Sequence, residues 1–213
     1  ETTGEPSDTV RRLAAINSQV QTGLSNPLDE AISASAKLNN VDLAGVQKVD
    51  EIPYDFVRKC LSIVAADAAG VRTLVTKGAL DNILAMCTSV QTSTGVGPLD
   101  ATARAQIDTL YDAWSAKGFR VLGVASRIVE SRRTAYIRSD EHDLVFGGFL
   151  LFLDPPKADV RQTIIDLAQR GVQLKMITGD NNKVARHVAE AVNLPVVVLL
   201  TGRELNDMSD EAL

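Results

Sequence analysis

This chain of 213 residues has few cysteines and few aromatic residues, and it has no excess of positive charge. Its two cysteines, Cys60 and Cys87, cannot build a disulfide framework and do not have the spacing of metal ligands. Because each lies near apolar residues, we expect buried free thiols and a reducing compartment. A net charge of -5 argues against general nucleic-acid binding, which needs a basic face, although a local basic pocket for a nucleotide is compatible with it.

Long apolar runs and several familiar motifs are also missing. The apolar run at 145–153 is much shorter than the ~20 residues of a membrane helix, so we expect no membrane insertion by this chain. Because residues 1–6 are polar, we expect no signal peptide here. There is no Walker A loop and no Gly-x-Ser-x-Gly elbow. His142 and His187 lie far apart without a ligand pattern, so we predict no metal site.

Residues 1–150 alternate between helical and strand-like patterns, which is typical of an α+β domain. The runs at 61–65 and 71–77 flank a turn-forming segment at 67–70 and predict an antiparallel hairpin. An earlier strand is expected to stop at Pro53, and another is expected at 120–129. Cap and periodicity signals predict helices that begin at Asp8, Asn26, Gly78 and Asp100, the third of them reaching Cys87. Residues 92–98 and the charged stretch 131–143 are predicted to be a loop and a solvated connection.

After Asp154 the pattern becomes a regular alternation of helix and buried strand. Helices are predicted at 159–171 and 182–192, and strands at 174–177 and 196–200. Together with the run at 145–153 they give a βαβαβ order, which is part of a parallel α/β sheet. We therefore predict one domain at 1–150 and an incomplete second one at 151–213.

The loop Thr178-Gly179-Asp180 is the first candidate for chemistry. It follows a predicted strand, and open α/β sheets bind their ligands at the carboxyl ends of strands. A threonine hydroxyl, a glycine amide and a helix N-terminus can together hold a phosphoryl group. The alternative is that Asp180 only caps the next helix, and the tripeptide alone does not decide between them.

Several residues in the first part are candidates for nucleotide contact, and each has a structural alternative. Lys77 before Gly78 and a helix N-terminus can form an anion site, or it can be an ordinary exposed lysine. Phe56 can stack on a purine or belong to the core. Arg120 can bind a phosphate or be an edge charge. Asp29 can accept from an adenine amino group or complement a helix dipole.

Six motifs in order resemble the cytoplasmic part of a P-type ATPase, and the resemblance covers nearly the whole chain. The motifs are NPLDEA at 26–31, DEIPYDF at 50–56 with RK and LS after it, KGA at 77–79, GFRVL at 118–122, LDPPK at 153–157 and TGD at 178–180. Each is weak alone, but their order is very specific. DEIPYDF and FLDPPK look most like the bacterial magnesium transporters, with calcium and proton pumps as alternatives.

The resemblance implies a fold and a set of base contacts. The fold is an antiparallel sheet with flanking helices, the nucleotide-binding domain, followed by a partial parallel-sheet segment of the haloacid-dehalogenase type. In this fold Phe56 would stack on adenine and Asp29 would contact the base edge. Lys77 and Gly78 would line the pocket.

The same resemblance implies contacts to the phosphates of ATP, which binds with Mg²⁺. Lys59 would face the phosphates, although its loop looks shorter than in calcium pumps. Arg120 would contact a phosphate. Thr178, Gly179 and Asp180 would meet the γ-phosphoryl group, or an aspartyl phosphate and its Mg²⁺.

The sequence departs from the family pattern at decisive places. The DKTGT segment with the phosphorylated aspartate, the GDGxND motif and the membrane helices are absent. We therefore expect a cytoplasmic piece of a longer inner- or plasma-membrane ATPase. It would bind ATP and would interact with the remaining phosphorylation domain, the actuator domain and the transmembrane domain of that ATPase. Alone, it would be catalytically inactive. The alternatives are a stand-alone haloacid-dehalogenase-type phosphohydrolase and a non-catalytic nucleotide-binding module.

Overall fold

The computed structural model describes residues 3–22, 26–130 and 132–208. Its helices are α1 Asp8–Gln19, α2 Pro27–Leu38, α3 Leu80–Ala85, α4 Ala101–Ala116, α5 Val160–Gln169, α6 Asn182–Ala191 and α7 Gly202–Asp207. Its strands are β1 Gln47–Asp55, β2 Cys60–Ala66, β3 Arg72–Ala79, β4 Cys87–Thr92, β5 Gly95–Pro98, β6 Arg120–Val129 and β7 Leu144–Phe152. A 3₁₀ turn covers Arg138–Asp140. Within the described ranges, none of the helices has the length and apolarity needed to cross a bilayer.

The strands form one seven-stranded sheet in the order β1-β2-β3-β6-β7-β4-β5. The pairs β1–β2, β2–β3, β3–β6 and β4–β5 are antiparallel, whereas β4 runs parallel to β7. The prediction of an α+β domain with a largely antiparallel sheet and flanking helices is therefore confirmed. The hairpin predicted around 67–70 is confirmed as well, because β2 and β3 pair from Cys60 opposite Gly78 to Ala66 opposite Arg72.

The chain divides into two compact units, one made of Glu1–Leu110 with Val121–Leu151 and the other of Tyr111–Arg120 with Phe152–Leu213. In the first unit, α1 lies on β2 and β3. Its apolar face includes Val10 and Ala14, and the sheet contributes fully buried side chains such as Ile63, Leu74 and Phe146. The domain boundary predicted at residue 150 stays a prediction.

Strand β1 runs past the proline that was predicted to end it. It continues to Asp55, and its pairing with β2 shifts register between Ile52 and Asp55, around Pro53. Proline is tolerated in β1 because β1 is an edge strand, and one side of an edge strand forms no hydrogen bonds with another strand. The predicted stop at Pro53 is therefore wrong.

The helix after Gly78 is shorter than predicted, and the loop predicted at 92–98 is a strand. Helix α3 ends at Ala85, and Cys87 instead begins β4, where it pairs with Leu144 of β7. Residues Gly95–Pro98 form β5, antiparallel to β4. The spacing of apolar residues up to Cys87 predicted a longer helix. Pairing of β4 with the distant strand β7 determines the conformation instead.

The charged connection predicted at 131–143 is not simply solvated. Ser131 lies outside the described residues, but Tyr136, Asp140 and Glu141 are buried. Asp140 accepts two hydrogen bonds from the guanidinium of Arg133, at 2.6 and 2.7 Å. Ion pairing satisfies these charges, so that they can leave water.

In the second unit the predicted helices α5 and α6 are confirmed, but the two strands are wrong. The residues described between 153 and 208 form helices and irregular backbone, without a strand. At the predicted strand positions, Ile177 is 97% exposed and Val197 is 92% exposed. A buried parallel strand needs hydrogen-bonded neighbours and cover on both faces, and no described segment pairs with 174–177 or 196–200. The predicted βαβαβ sheet therefore does not form among the residues that the structure describes.

Candidate functional site

The turn between β1 and β2 presents an exposed aromatic ring. Oδ1 of Asp55 accepts the backbone N–H groups of Val57 and Arg58, at 2.9 and 2.6 Å, and so fixes the turn at 56–59. The Phe56 ring is 87% exposed and meets the Tyr54 ring edge to face, with 5.6 Å between the centroids. The alternative that Phe56 belongs to the core is therefore wrong, and its surface is available to a planar ligand.

The end of β3 lies directly against this turn. Gly78 is opposite Cys60, and the N–H of Ala79 donates to the carbonyl of Lys59 at 3.0 Å. A Cβ on residue 78 would lie only 2.4 Å from Cys60 Cβ and from the Lys59 carbonyl oxygen, so a glycine is required here. The sheet thus brings the Phe56 turn and the Lys77-Gly78 segment to the same place, and it leaves Lys59 exposed on the turn.

Lys77 and Asp29 form a buried ion pair. Oδ1 of Asp29 accepts from the Lys77 ammonium and from Ser18 Oγ, the latter at 2.9 Å. Its Oδ2 accepts from Gln21 Nε2 at 2.8 Å and from Asn26 Nδ2 at 2.7 Å. A carboxylate has about four lone-pair positions, so these donors saturate it.

Burial and the contacts between the two groups shift both of their pKa values. Burial lowers the pKa of Lys77, and the hydrogen bond and charge of Asp29 offset only part of that effect. Burial would raise the pKa of Asp29, but hydrogen bonds from Lys77, Gln21 and Ser18 outweigh it and hold the pKa below its usual value. The alternative of an ordinary exposed lysine is therefore wrong. The base contact of Asp29 stays a prediction, and it requires one of the present donors to leave.

In the second unit, Arg120 pairs with the aspartate of the TGD loop. Its Nε donates to Asp180 Oδ1 at 2.7 Å, and Nη2 lies 2.5 Å from the same oxygen. Thr178 Oγ1 donates to Asp180 Oδ2 and accepts the Asp180 N–H, both at 3.1 Å. Arg120 and Asp180, which were each predicted to contact a phosphoryl group, thus form an ion pair with one another. Their phosphate contacts, and that of Gly179, stay predictions.

Helix α6 is capped by Asn181 rather than by Asp180. Asn181 Oδ1 accepts two N–H groups of the first helical turn, at 3.0 and 2.9 Å. Its Nδ2 donates to Tyr111 and Ser115 on α4, at 2.9 and 3.0 Å. The alternative that Asp180 is only a helix cap is therefore wrong, and its carboxylate is directed to Arg120.

Sequence reasoning missed the residues that hold the buried charges in place. Ser18 and Gln21 fix Asp29, and their only signal is the spacing of three residues near the end of α1. Arg58 and Glu141 form a second ion pair beside the Phe56 turn, at 2.5–2.6 Å. Glu141 stands in a stretch whose composition indicated solvent exposure, so no local pattern could have identified it.

Burial suppresses the reactivity of both thiols. Burial raises the pKa of Cys60 to about 11 and that of Cys87 to about 12, which makes both thiols poor ligands and nucleophiles. Cys60 is buried as predicted, whereas Cys87 is half-buried. Across residues 3–22, 26–130 and 132–208, no group of three or more His, Cys, Asp or Glu side chains is arranged to hold a metal ion.

Comparison with known protein families assigns this α+β sheet domain to a class. Residues 13–159 match the family model of the P-type ATPase cytoplasmic domain N, and the chain belongs to this family. Domains of this family bind nucleotide in the P-type ATPases.

Individual relatives refine the comparison. The chain is 38% identical over 217 residues to the magnesium-transporting ATPase, P-type 1, of Salmonella typhimurium, and 36% identical over 212 residues to that of Escherichia coli. Each alignment covers 99% of this chain and 24% of the relative. It is 32% identical over 199 residues to calcium-transporting ATPase 1 of Saccharomyces cerevisiae, covering 89% of this chain and 21% of that protein. The predicted similarity to bacterial magnesium-transporting ATPases is confirmed, and the chain spans about a quarter of the length of these relatives.

Proposed function

We propose that this chain binds ATP, together with Mg²⁺, as the nucleotide-binding part of a magnesium-transporting P-type ATPase. The family match supports nucleotide binding, and the relatives with the higher identities carry magnesium transport in their names. In the whole protein it would lie on the cytoplasmic side of the inner or plasma membrane. It would present the γ-phosphate to an aspartate that this sequence does not contain.

The exposed Phe56 ring is the observation that carries the proposal. A ring that is 87% exposed on a turn loses hydrophobic stabilisation unless a ligand covers it. Stacking of a base on an aromatic side chain contributes about 1–3 kcal/mol. Because the turn hydrogen-bonds to the end of β3, the base would lie next to the Lys77-Gly78 segment.

The remaining residues divide the work in this proposal. Lys77 and Gly78 form a wall of the base pocket, and Asp29 holds Lys77 in position. Lys59, exposed on the same turn as Phe56, would approach the phosphates. Arg120 and the loop of Thr178, Gly179 and Asp180 serve the phosphoryl end, where ATP supplies the group to be transferred. Alone, the chain is expected to show no phosphatase activity.

A pair of variants in one turn tests nucleotide binding. Phe56→Ala removes the ring, and Val57→Ala removes a neighbouring apolar side chain that is 86% exposed and so serves as the control. Removing about 1–3 kcal/mol of stacking corresponds to an increase in the Kd for Mg-ATP of about 5- to 150-fold. We expect that increase for Phe56→Ala and a change below about twofold for Val57→Ala, both measured by calorimetry on the 213-residue chain. No binding at millimolar ATP, or equal affinities in the two variants, would contradict the proposal.

Calcium is the alternative ion, because the yeast calcium-transporting ATPase is also similar to this chain. The ligands of a transported ion would lie in membrane helices, so the residues described here do not choose between the two. Ion uptake by the whole protein decides the question: magnesium transport without calcium transport supports the proposal, and the reverse contradicts it.

A further inference from the structure

The Phe56 turn is tied to a distant loop by one arginine. Arg58 Nη1 donates to both carboxylate oxygens of Glu141, at 2.6 and 2.5 Å. The same guanidinium donates from Nε to Asp55 at 2.6 Å and from Nη2 to the carbonyl of Pro53 at 2.6 Å. Arg58 therefore ties the turn to the end of β1 and connects it to a residue 83 positions later in the chain.

The Arg58 guanidinium is committed to the protein. Each of its three nitrogens has an acceptor within 2.6 Å, and Nη1 also lies 3.2 Å from Cys60 Sγ. Its side chain is only 16% exposed. A phosphate could reach it only by displacing these partners, so its role is to shape the turn rather than to bind the ligand.

Glu141 is a buried, hydrogen-bonded partner for this arginine. Its side chain is 1% exposed, and its Oε1 also accepts from Ser62 Oγ at 2.5 Å. Ser62 in turn is 2.7 Å from the hydroxyl of Thr76 on the neighbouring strand. Ser62 and Thr76 are both fully buried on the neighbouring interior strands β2 and β3, so Glu141 connects the turn to the buried part of the sheet.

We propose that Glu141 is a positioning residue for nucleotide binding, acting through Arg58 to hold the Phe56 turn in the conformation that receives the base. This inference rests on the proposed function, in which Phe56 stacks on adenine. The turn needs such support because Lys59 has a φ of 50°, a left-handed conformation that is unfavourable for a non-glycine residue. Without the ion pair, Phe56 would be ordered by the ligand only upon binding.

A double-mutant cycle distinguishes positioning from a general effect on folding. Glu141→Gln keeps the shape but removes the charge that faces Arg58. Loss of pre-ordering for a turn side chain corresponds to about a 3- to 10-fold higher Kd for Mg-ATP. We expect this increase when Phe56 is present and a change below about twofold in the Phe56→Ala background, by calorimetry on the full chain. Urea unfolding should show the same stability loss in both backgrounds.

The control is a second ion pair in the same loop. Asp140→Asn breaks the bidentate pair with Arg133, which does not touch the Phe56 turn. We expect its Kd for Mg-ATP to stay within about twofold of the parent chain. If Asp140→Asn weakens binding as much as Glu141→Gln does, the integrity of the loop, and not the link to Arg58, is responsible, and the inference is wrong.

The remaining outcomes separate this inference from the proposed function. If Phe56→Ala itself leaves the Kd unchanged, the proposed function fails and the inference fails with it. If Phe56→Ala weakens binding but Glu141→Gln does not, or weakens it equally in both backgrounds, only the inference fails. Should Glu141→Gln not fold, Arg58→Lys carries the same cycle, since it keeps the charge but loses the forked donor geometry.

Discussion

Replacing Lys77 by methionine separates the contribution of this lysine to the fold from its contribution to ATP binding. Methionine keeps most of the volume but leaves the Asp29 carboxylate, 3% exposed, without a counter-charge. Removing one partner of a buried ion pair costs about 3–5 kcal/mol. Ser18, Gln21 and Asn26 still donate to Asp29 after the change, so we expect a loss near the lower end, about 3 kcal/mol.

The reciprocal variant and the double variant complete the measurement. Asp29→Asn leaves Lys77 with the Ser18 hydroxyl as a hydrogen-bond partner, at 2.7 Å. Because this acceptor remains, the expected cost is smaller, about 1–3 kcal/mol. The double variant removes both charges, so its loss should fall short of the sum of the single losses by about 1–3 kcal/mol.

Urea unfolding at pH 7, followed by circular dichroism, measures these free energies. Lys48→Met is the matched control, since Lys48 pairs with Glu51 at a partly exposed position and should cost no more than about 1 kcal/mol. A loss below about 1 kcal/mol for Lys77→Met, or additive losses in the double variant, would refute the interpretation of a saturated, stabilising pair. ATP titrations of Lys77→Met are meaningful only under conditions in which the variant remains folded.

Two further predictions concern the close strand packing and the response to acid. Gly78→Ala should cost about 1–3 kcal/mol, since the new Cβ would meet Cys60 and the Lys59 carbonyl at 2.4 Å, whereas Gly97→Ala has open space and should change stability by less than about 0.5 kcal/mol. Equal shifts of the two variants in thermal unfolding would contradict this. Burial pushes the pKa of Asp29 up, but its hydrogen bonds and the charge of Lys77 hold it below the ordinary value, so the unfolded chain binds more protons in acid. The free energy of unfolding should therefore be steady down to about pH 5 and fall below about pH 4; the fall should be shallower in Asp29→Asn, and an unchanged slope would contradict the assignment.

Local signals predicted the parts of the fold that local chemistry decides. Asn26 caps α2 with its side chain, and the turn at 67–70 joins β2 and β3, both as the sequence indicated. The β4–β5 hairpin was missed because β4 is specified by pairing with β7, far along the chain. The strand predicted at 174–177 failed for the converse reason: an apolar run becomes a parallel strand only when neighbours pair with it.

In the candidate site, the sequence indicated which residues matter but did not indicate which residues contact each other. Motif order selected Asp29 and Lys77, but nothing in the sequence indicated that they bind each other across 48 positions. Arg58 lay within a selected motif, whereas its partner Glu141 lay 83 positions away in a stretch without a motif. Buried charges require partners, so a buried lysine was a reason to search for an acid, but burial itself could not be read from the sequence.

The two ion pairs among the candidate residues differ in how readily a phosphate could replace the carboxylate. The Arg120–Asp180 pair is solvated, with the Arg120 side chain 50% exposed, and exposed pairs contribute only about 0–1 kcal/mol. The Lys77–Asp29 pair is buried, with side chains 9% and 4% exposed, and separating it would cost about 3–5 kcal/mol. Arg120 can therefore exchange its carboxylate for a phosphate at little cost, while Lys77 cannot. If the chain binds ATP as proposed, we therefore expect Arg120 to contact a phosphate. We expect Lys77, whose ammonium is bound to Asp29, to line the base pocket without contacting a phosphate.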